Sequence, residues 1–250
     1  MRYIIVVLLG VLLTVSSAFG QDVRFTKANS LYQDGKFADA KSAYLEILNS
    51  GVQSPELLFN LGNACYKNGE LSASILYFEK ALLLDPTDAD IRYNLELANN
   101  QIVDKITPVG HFFLVDWINS LRESNESDGW AVWAIITIFL VVGAVVAYLF
   151  IDSALIKRIA FFLGIFLLII NITATIFASS QKSKLTNRQH AILFTPSVTV
   201  KSSPDLTGSE LFVLHEGTKI KILQTLGSWA EIELLDGNVG WLPRDSYKEI

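Results

Sequence analysis

Leu58-Phe59-Asn60-Leu61-Gly62-Asn63-Ala64-Cys65-Tyr66-Lys67-Asn68-Gly69, followed by Tyr77-Phe78-Glu79-Lys80-Ala81-Leu82 and Asp85-Pro86, is the stretch that decides the fold. Displaced by 34 residues, it lies over a weaker copy of itself. Gly35 falls on Gly69, Phe25 on Phe59, Asn29 on Asn63, Tyr32 on Tyr66, Phe37 on Leu71 and Tyr44 on Phe78. A period of this length marks a stacked array whose single units cannot bury their apolar faces alone. Each copy reads as a pair of helices, A and B. Leu61-Gly62 lets helix A pack closely on helix B, and Ala81 is the small residue at the crossing. Pro86 ends helix B, because it has no N–H and disfavours helix in the residue before it. The copies span 21–54 and 55–88. Residues 89–104, with Ile91-Arg92-Tyr93-Asn94-Leu95-Glu96-Leu97-Ala98, read as a further helix A that lacks a partner and caps the stack.

Period and residues together resemble the tetratricopeptide repeat. The first copy is the more divergent, with Lys27-Ala28 for the Leu-Gly pair. In the second copy Ser74 stands where the family usually has Ala. The resemblance implies a ligand face lined by helix A. Phe25, Asn29 and Tyr32 would line it in copy one, and Phe59, Asn63 and Tyr66 in copy two, with Tyr93 extending the aromatic ladder. The alternative is that these aromatics pack between repeats. The carboxylate-binding variant of the family has Lys where this chain has Phe25 and Phe59. An extended segment or a helix is therefore the expected ligand, rather than a peptide C-terminal carboxylate. Cys65 takes a position usually filled by Tyr, where a buried free Cys acts as a small hydrophobe.

Outward from the repeats the composition changes. The 250 residues are 51% hydrophobic and 18% charged, with a mean hydropathy of +0.37; soluble domains carry about 25% charged residues. A single Cys excludes a disulfide scaffold. With three scattered His it also argues against a metal cluster. A net charge of −5 argues against nucleic-acid partners. Residues 21–129 carry 9 Lys/Arg and 16 Asp/Glu, and residues 181–250 carry 8 of each. The remaining stretches, 1–20 and 130–180, hold three bases and one acid, and supply the excess hydropathy.

Residues 1–20 have the form of a signal peptide: Arg2, an apolar run from Ile4 to Val15, then Ser16-Ser17-Ala18-Phe19-Gly20. Cleavage would follow Gly20 or Ala18; the alternative is an uncleaved anchor helix. Either way residue 21 lies outside the cytoplasm. Trp130–Ile151 and Ile159–Ala178 are each long enough for a hydrocarbon core of about 30 Å. They predict transmembrane helices over 130–151 and 159–180. The loop between, 152–158, contains Lys157 and Arg158 and is placed in the cytoplasm. Trp130 and Trp133 fall where an interfacial aromatic belt would lie. Asn171 is expected to hydrogen-bond the first helix. Gly143-x-x-x-Ala147 and Ala160-x-x-x-Gly164 would permit close contact. In the linker 105–129, Phe112, Phe113, Val115, Trp117, Ile118 and Leu121 fit a short helix, either at the bilayer surface or capping the repeats.

From His190 the period becomes two. Val198-Thr199-Val200, Thr218–Leu223 and Trp229–Leu234 alternate as half-buried strands, and Asp236-Gly237-Asn238 is a hairpin turn. Val200-Lys201-Ser202-Ser203-Pro204, Glu216-Gly217-Thr218, Gly227-Ser228-Trp229-Ala230-Glu231-Ile232 and Val239-Gly240-Trp241-Leu242-Pro243, in this order, resemble bacterial SH3-like domains. That resemblance implies a small all-β barrel over 190–250. Its ligand groove would lie near Trp229, Trp241, Pro243 and Tyr247, with one of the two Trp in the core.

The expected chain is thus multidomain: an all-α tetratricopeptide helical repeat, two transmembrane α-helices and a small all-β SH3-like barrel. This order resembles the Bat aerotolerance operon family. The resemblance covers nearly the whole chain and includes Tyr93-Asn94-Leu95-Glu96-Leu97-Ala98. It implies protein partners of Bat type, bearing von Willebrand A-type domains and linked to a MoxR-type ATPase, and a role in oxidative stress tolerance. The corresponding expectation is a non-enzymatic scaffold in a bacterial inner membrane, with both soluble modules in the periplasm and no cofactor. The alternative is a peptidoglycan receptor that recruits a hydrolase. An enzyme is disfavoured, because His111, His190 and His215 are isolated and no nucleophile elbow, phosphate loop or paired-carboxylate motif is present.

Overall fold

A computed structural model describes residues 23–107, 110, 112–186 and 189–250, without the side chains of 185 and 186. The leader expected over 1–20 lies outside these residues, as does His111. The chain divides into two compact units, residues 1–52 and 53–250.

In the first unit, α1 (Val23–Gln33) and α2 (Phe37–Asn49) pack together. The turn between them needs the positive φ of +77° that Gly35 adopts at no steric cost. Ala28, Ala40, Tyr44 and Ile47 are buried.

The second unit opens with α3 (Pro55–Lys67), α4 (Leu71–Leu84) and α5 (Ala89–Asn99). Ser54 Oγ accepts the Leu57 N–H, and Pro55 occupies the first helical turn, so the start of α3 is fixed by its own residues. Gly69, at φ +80°, makes the same turn as Gly35. A Cβ at Gly62 would lie 2.6 Å from the Phe78 ring, so the expected close crossing of the two helices depends on that glycine. Helix α4 stops at Leu84, two residues before Pro86. Asp88 then caps α5 by accepting the N–H groups of Asp90 and Ile91. Leu57, Leu58, Leu61, Ile75, Phe78 and Ile91 fill the core, with Cys65 also buried.

Helices α6 (Phe113–Glu123), α7 (Ser127–Phe150) and α8 (Ala154–Thr186) follow. The last two form a hairpin and are long and apolar enough, by length and composition, to cross a membrane. Only Ile151–Ser153 joins them, rather than a seven-residue loop. Ser153 C=O accepts the Lys157 N–H, so Lys157 and Arg158 ride in the first turns of α8. At its far end α8 runs six residues beyond the expected 180. Buried Gln181 holds that extension by donating to the carbonyls of Arg122 and Asn125. Most Leu, Ile, Val and Phe side chains of the hairpin are exposed, while Ala144, Ala160, Ala174 and Thr137 are buried, as is Phe177, whose ring lies 5.1 Å from that of Trp130. Asn171 Nδ2 donates to the Ala134 carbonyl at 2.6 Å and to Thr137 Oγ1 at 3.0 Å, as expected. Gly164 meets Ala144, but Gly143 has nothing within 4 Å of a built Cβ and plays no part in the contact.

Seven strands complete the unit: β1 (His190–Leu193), β2 (Ser197–Lys201), β3 (Glu210–His215), β4 (Lys219–Leu226), β5 (Trp229–Glu233), β6 (Val239–Pro243) and β7 (Tyr247–Glu249). They form one antiparallel sheet in the order β3-β2-β6-β5-β4-β1-β7. The expected closed barrel is not what forms: β3 and β7 remain edges. Strand β7 has three residues, and the backbone N–H of His215 on β3 is already taken by the Asp104 carboxylate. One face of the sheet wraps a single core of Ala191, Leu193, Val200, Leu214, Ile220 and Ile232 with their neighbours.

Candidate interaction surfaces

In the first unit the ring of Phe25 lies 5.9 Å from Tyr44, and that of Tyr32 lies 5.2 Å from Phe37. Asn29 Oδ1 accepts the Tyr44 hydroxyl at 2.6 Å. All three residues of this unit's expected ligand face therefore also brace α1 on α2. In the second unit Phe59 contacts Phe78 in the same way, with ring centroids 5.9 Å apart. The Tyr66 hydroxyl accepts Gln101 Nε2, and Asn63 is half-buried. Tyr93 differs from the rest of the ladder: 66% of it is exposed, and Leu97, one turn on, is exposed beside it. In the second unit the exposed part of the expected face is thus centred on α5.

The sheet offers a second surface. Ala230, Ile232 and Leu242 point into the core, so the alternation turns Trp229, Glu231, Trp241 and Pro243 to the outer face. In register, Trp229 stands opposite Pro243, and Glu231 opposite Trp241. Neither Trp is a core residue, contrary to expectation; both are half-buried on the outside. Tyr247 instead belongs to the core, so the expected groove loses that member. Burial pushes the Tyr247 hydroxyl pKa upward, although Arg244 opposes the shift.

A third cluster was not foreseen. The strap after α5 stitches helices α3–α5 to the sheet. Ile102 packs with Ile75 against the turn at Gly217, whose φ is +85°. Asp104 receives the His215 N–H at 2.6 Å and the Thr218 hydroxyl at 2.7 Å, while its other oxygen lies 2.8 Å from His215 Nδ1. Ile106 packs on the core of the sheet. Alongside, Lys219 pairs with Glu79 at 2.7 Å and Ser72 donates to Glu216. Burial raises the pKa of the Asp104 carboxyl, but the donors from His215 and Thr218 outweigh it, and the net shift is downward. Side chains 111 and 114 positions apart carry no periodic signal, and only the Glu216-Gly217-Thr218 turn stood out in the sequence.

No curated protein matches the chain in sequence. Residues 25–89 match the tetratricopeptide repeat family, and the paired helices α1–α2 and α3–α4 occupy that span, which marks this part of the chain as a module for protein–protein interaction.

Proposed function

We propose that the protein is a non-enzymatic scaffold, anchored in a bacterial inner membrane by α7 and α8, that presents its repeats and its β module in the periplasm. The observation that carries this reading is the hairpin. Its two long helices face one another mainly through small and polar residues and turn most of their large apolar side chains outward. In water that arrangement is unfavourable at roughly 25 cal/mol per Å² of apolar surface, whereas in lipid it is not. A three-residue connection returns the chain to the side it left, so both soluble parts face one compartment. Lys157 and Arg158 beside the connection favour the cytoplasm for that end. The order of modules supports membership of a Bat-type complex linked to oxidative stress tolerance, with von Willebrand A-type partners engaging the repeats.

Two measurements test it. A periplasm-dependent reporter fused after Ile250 is expected to be active, and a cytoplasm-dependent one silent; the reverse sinks the topology. Full-length protein solubilised from its native membrane is expected to retain von Willebrand A-type membrane proteins, and Tyr93→Ala to weaken their retention. A second reading, a peptidoglycan receptor recruiting a hydrolase, draws on the outer face of Trp229, Trp241 and Pro243, since aromatic faces suit sugar and peptide stacking. Sedimentation of the full chain with purified sacculi, lost in Trp229→Ala and Trp241→Ala, together with no retained partner, would favour it.

A further inference from the structure

We propose that α6 lies flat in the headgroup region of the bilayer that α7 and α8 cross, as a third membrane contact whose partner is lipid. The inference rests on the reading that those two helices span. Helix α6 has no buried residue. Its apolar side chains are all exposed, Phe113 at 69% and Trp117 at 62%, and Phe112 just before it is exposed as well. At about 100° per residue, Phe113, Leu114, Trp117, Ile118 and Leu121 share one side, while Asp116, Asn119 and Glu123 take the other. Among the described residues, no side chain of this helix is buried, which is not what a helix capping the repeats would show.

The position of α6 identifies what covers that face. Its C-terminal end is tied to the hairpin at one level. The Arg122 carbonyl accepts Trp130 Nε1 at 2.9 Å and Gln181 Nε2 at 3.0 Å, and Glu123 pairs with Lys184 at 2.9 Å. Trp130 sits where the apolar run of α7 begins, and Gln181 where that of α8 has just ended. The helix is therefore held at the boundary between the outward apolar surface of the hairpin and the polar residues beyond it. Phe and Trp on the apolar side suit that zone, where an amphipathic ring meets both lipid and water. The polar side carries Asp116 and Glu123 against Arg122, so burial of apolar surface, not attraction to anionic lipid, holds the helix down.

The test places nitroxide labels singly on the full-length chain reconstituted in vesicles of zwitterionic phospholipid. Cys65 is buried, and an unsubstituted control measures any label it takes. Labels at Leu114 and Ile118 are expected to be relaxed by oxygen in preference to a water-soluble nickel chelate, at a depth of about 5–10 Å. Labels at Asp116 and Asn119 are expected to show the opposite preference. The pattern is expected to persist when anionic lipid is added; insertion only with anionic lipid overturns the apolar basis. Water-like relaxation on both faces overturns the proposal. So does shielding of Leu114 and Ile118 from both reagents, which would place a second copy or another protein there. Labels at Val142 and Ile169 report the hairpin separately. Mid-bilayer relaxation there with a water-like α6 refutes the α6 inference alone, whereas water-like relaxation there refutes the spanning reading.

Discussion

The helical pairs α3–α4 and α7–α8 are alike in plan and opposite in what they hide. In α3–α4 the crossing buries Leu57, Leu61, Ile75 and Phe78 and leaves polar residues outside. In α7–α8 the crossing buries Ala144, Ala160, Ala174 and Thr137, while Phe139, Leu149 and Phe162 face away. Removal of large side chains from water drives the first pair together. On the proposed reading that the second pair lies in lipid, it contributes little there, and close contact of small residues and the Asn171 hydrogen bonds act instead. The first helices of the pairs also differ at their starts: Ser54 caps α3, whereas α7 begins without a side-chain cap. An apolar residue is thus informative about solvent only once its position relative to the crossing is known.

Substitutions that touch one pair and spare the other test this contrast. The largest effect is expected from Phe78→Ala, which empties the space beside Gly62 and removes about 3–5 kcal/mol. Hydrogen exchange should lose protection across α3 and α4 with α7–α8 in vesicles unchanged; equal loss in both pairs would break the distinction. Next, Asp104→Ala strands the His215 N–H and the Thr218 hydroxyl and should weaken the strap by about 1–3 kcal/mol. Limited proteolysis between 100 and 107 would report it. The same carboxyl gives a pH signature. Its pKa is lower when folded, so its contribution is complete above its ordinary value of 3.8 and is lost as the pH falls through the folded value. Strap protection that stayed unchanged as the pH fell well below 3.8 would contradict that assignment. Asp88→Ala removes a cap and should cost about 1 kcal/mol, seen as faster exchange in the first turn of α5. Smallest is Asn171→Leu, expected to loosen α7 on α8 by about 0.6 kcal/mol. Slower cross-linking of cysteines placed at Ala144 and Gly164, whose Cβ positions are 3.5 Å apart, would measure it.

The repeats were legible because their restraints are local and periodic. Gly69, Gly62, Ala81 and Pro86 each mark a turn, a crossing or a stop, and Gly69 has its counterpart 34 residues back in Gly35. The hairpin was legible from length and charge, though its connection was misjudged: Lys157 and Arg158 are good helix formers and stay in α8. Strands β2, β4 and β5 showed their alternation. Strand β1, with three consecutive buried residues, and β3, an apolar run of Leu211 to Leu214, did not alternate in polarity and went unread. Among the candidate surface residues, the sequence could rank aromatics but not aim them. Phe59 and Tyr93 occupy equivalent repeat positions, yet one leans on Phe78 and the other is free, because α5 has no helix B to cover it. Nothing local distinguishes Tyr247 in the core from Trp241 on the outer face.

Asp104 is made early and its partners late. During synthesis it must wait for His215, 111 residues downstream, and the hairpin is produced in between. Contacts of such sequence separation close slowly and last. Until they close, Ile102, Ile106 and the Gly217 turn lack each other, leaving apolar surface uncovered. With α7 and α8 in a bilayer, closure also has a geometric condition: both ends of the hairpin must emerge on one side. A chain whose second helix failed to insert would hold Asp104 and His215 in different compartments and could never join them. On the proposed reading that α7 and α8 span a bilayer, the strap closes only in molecules whose two helices have both inserted.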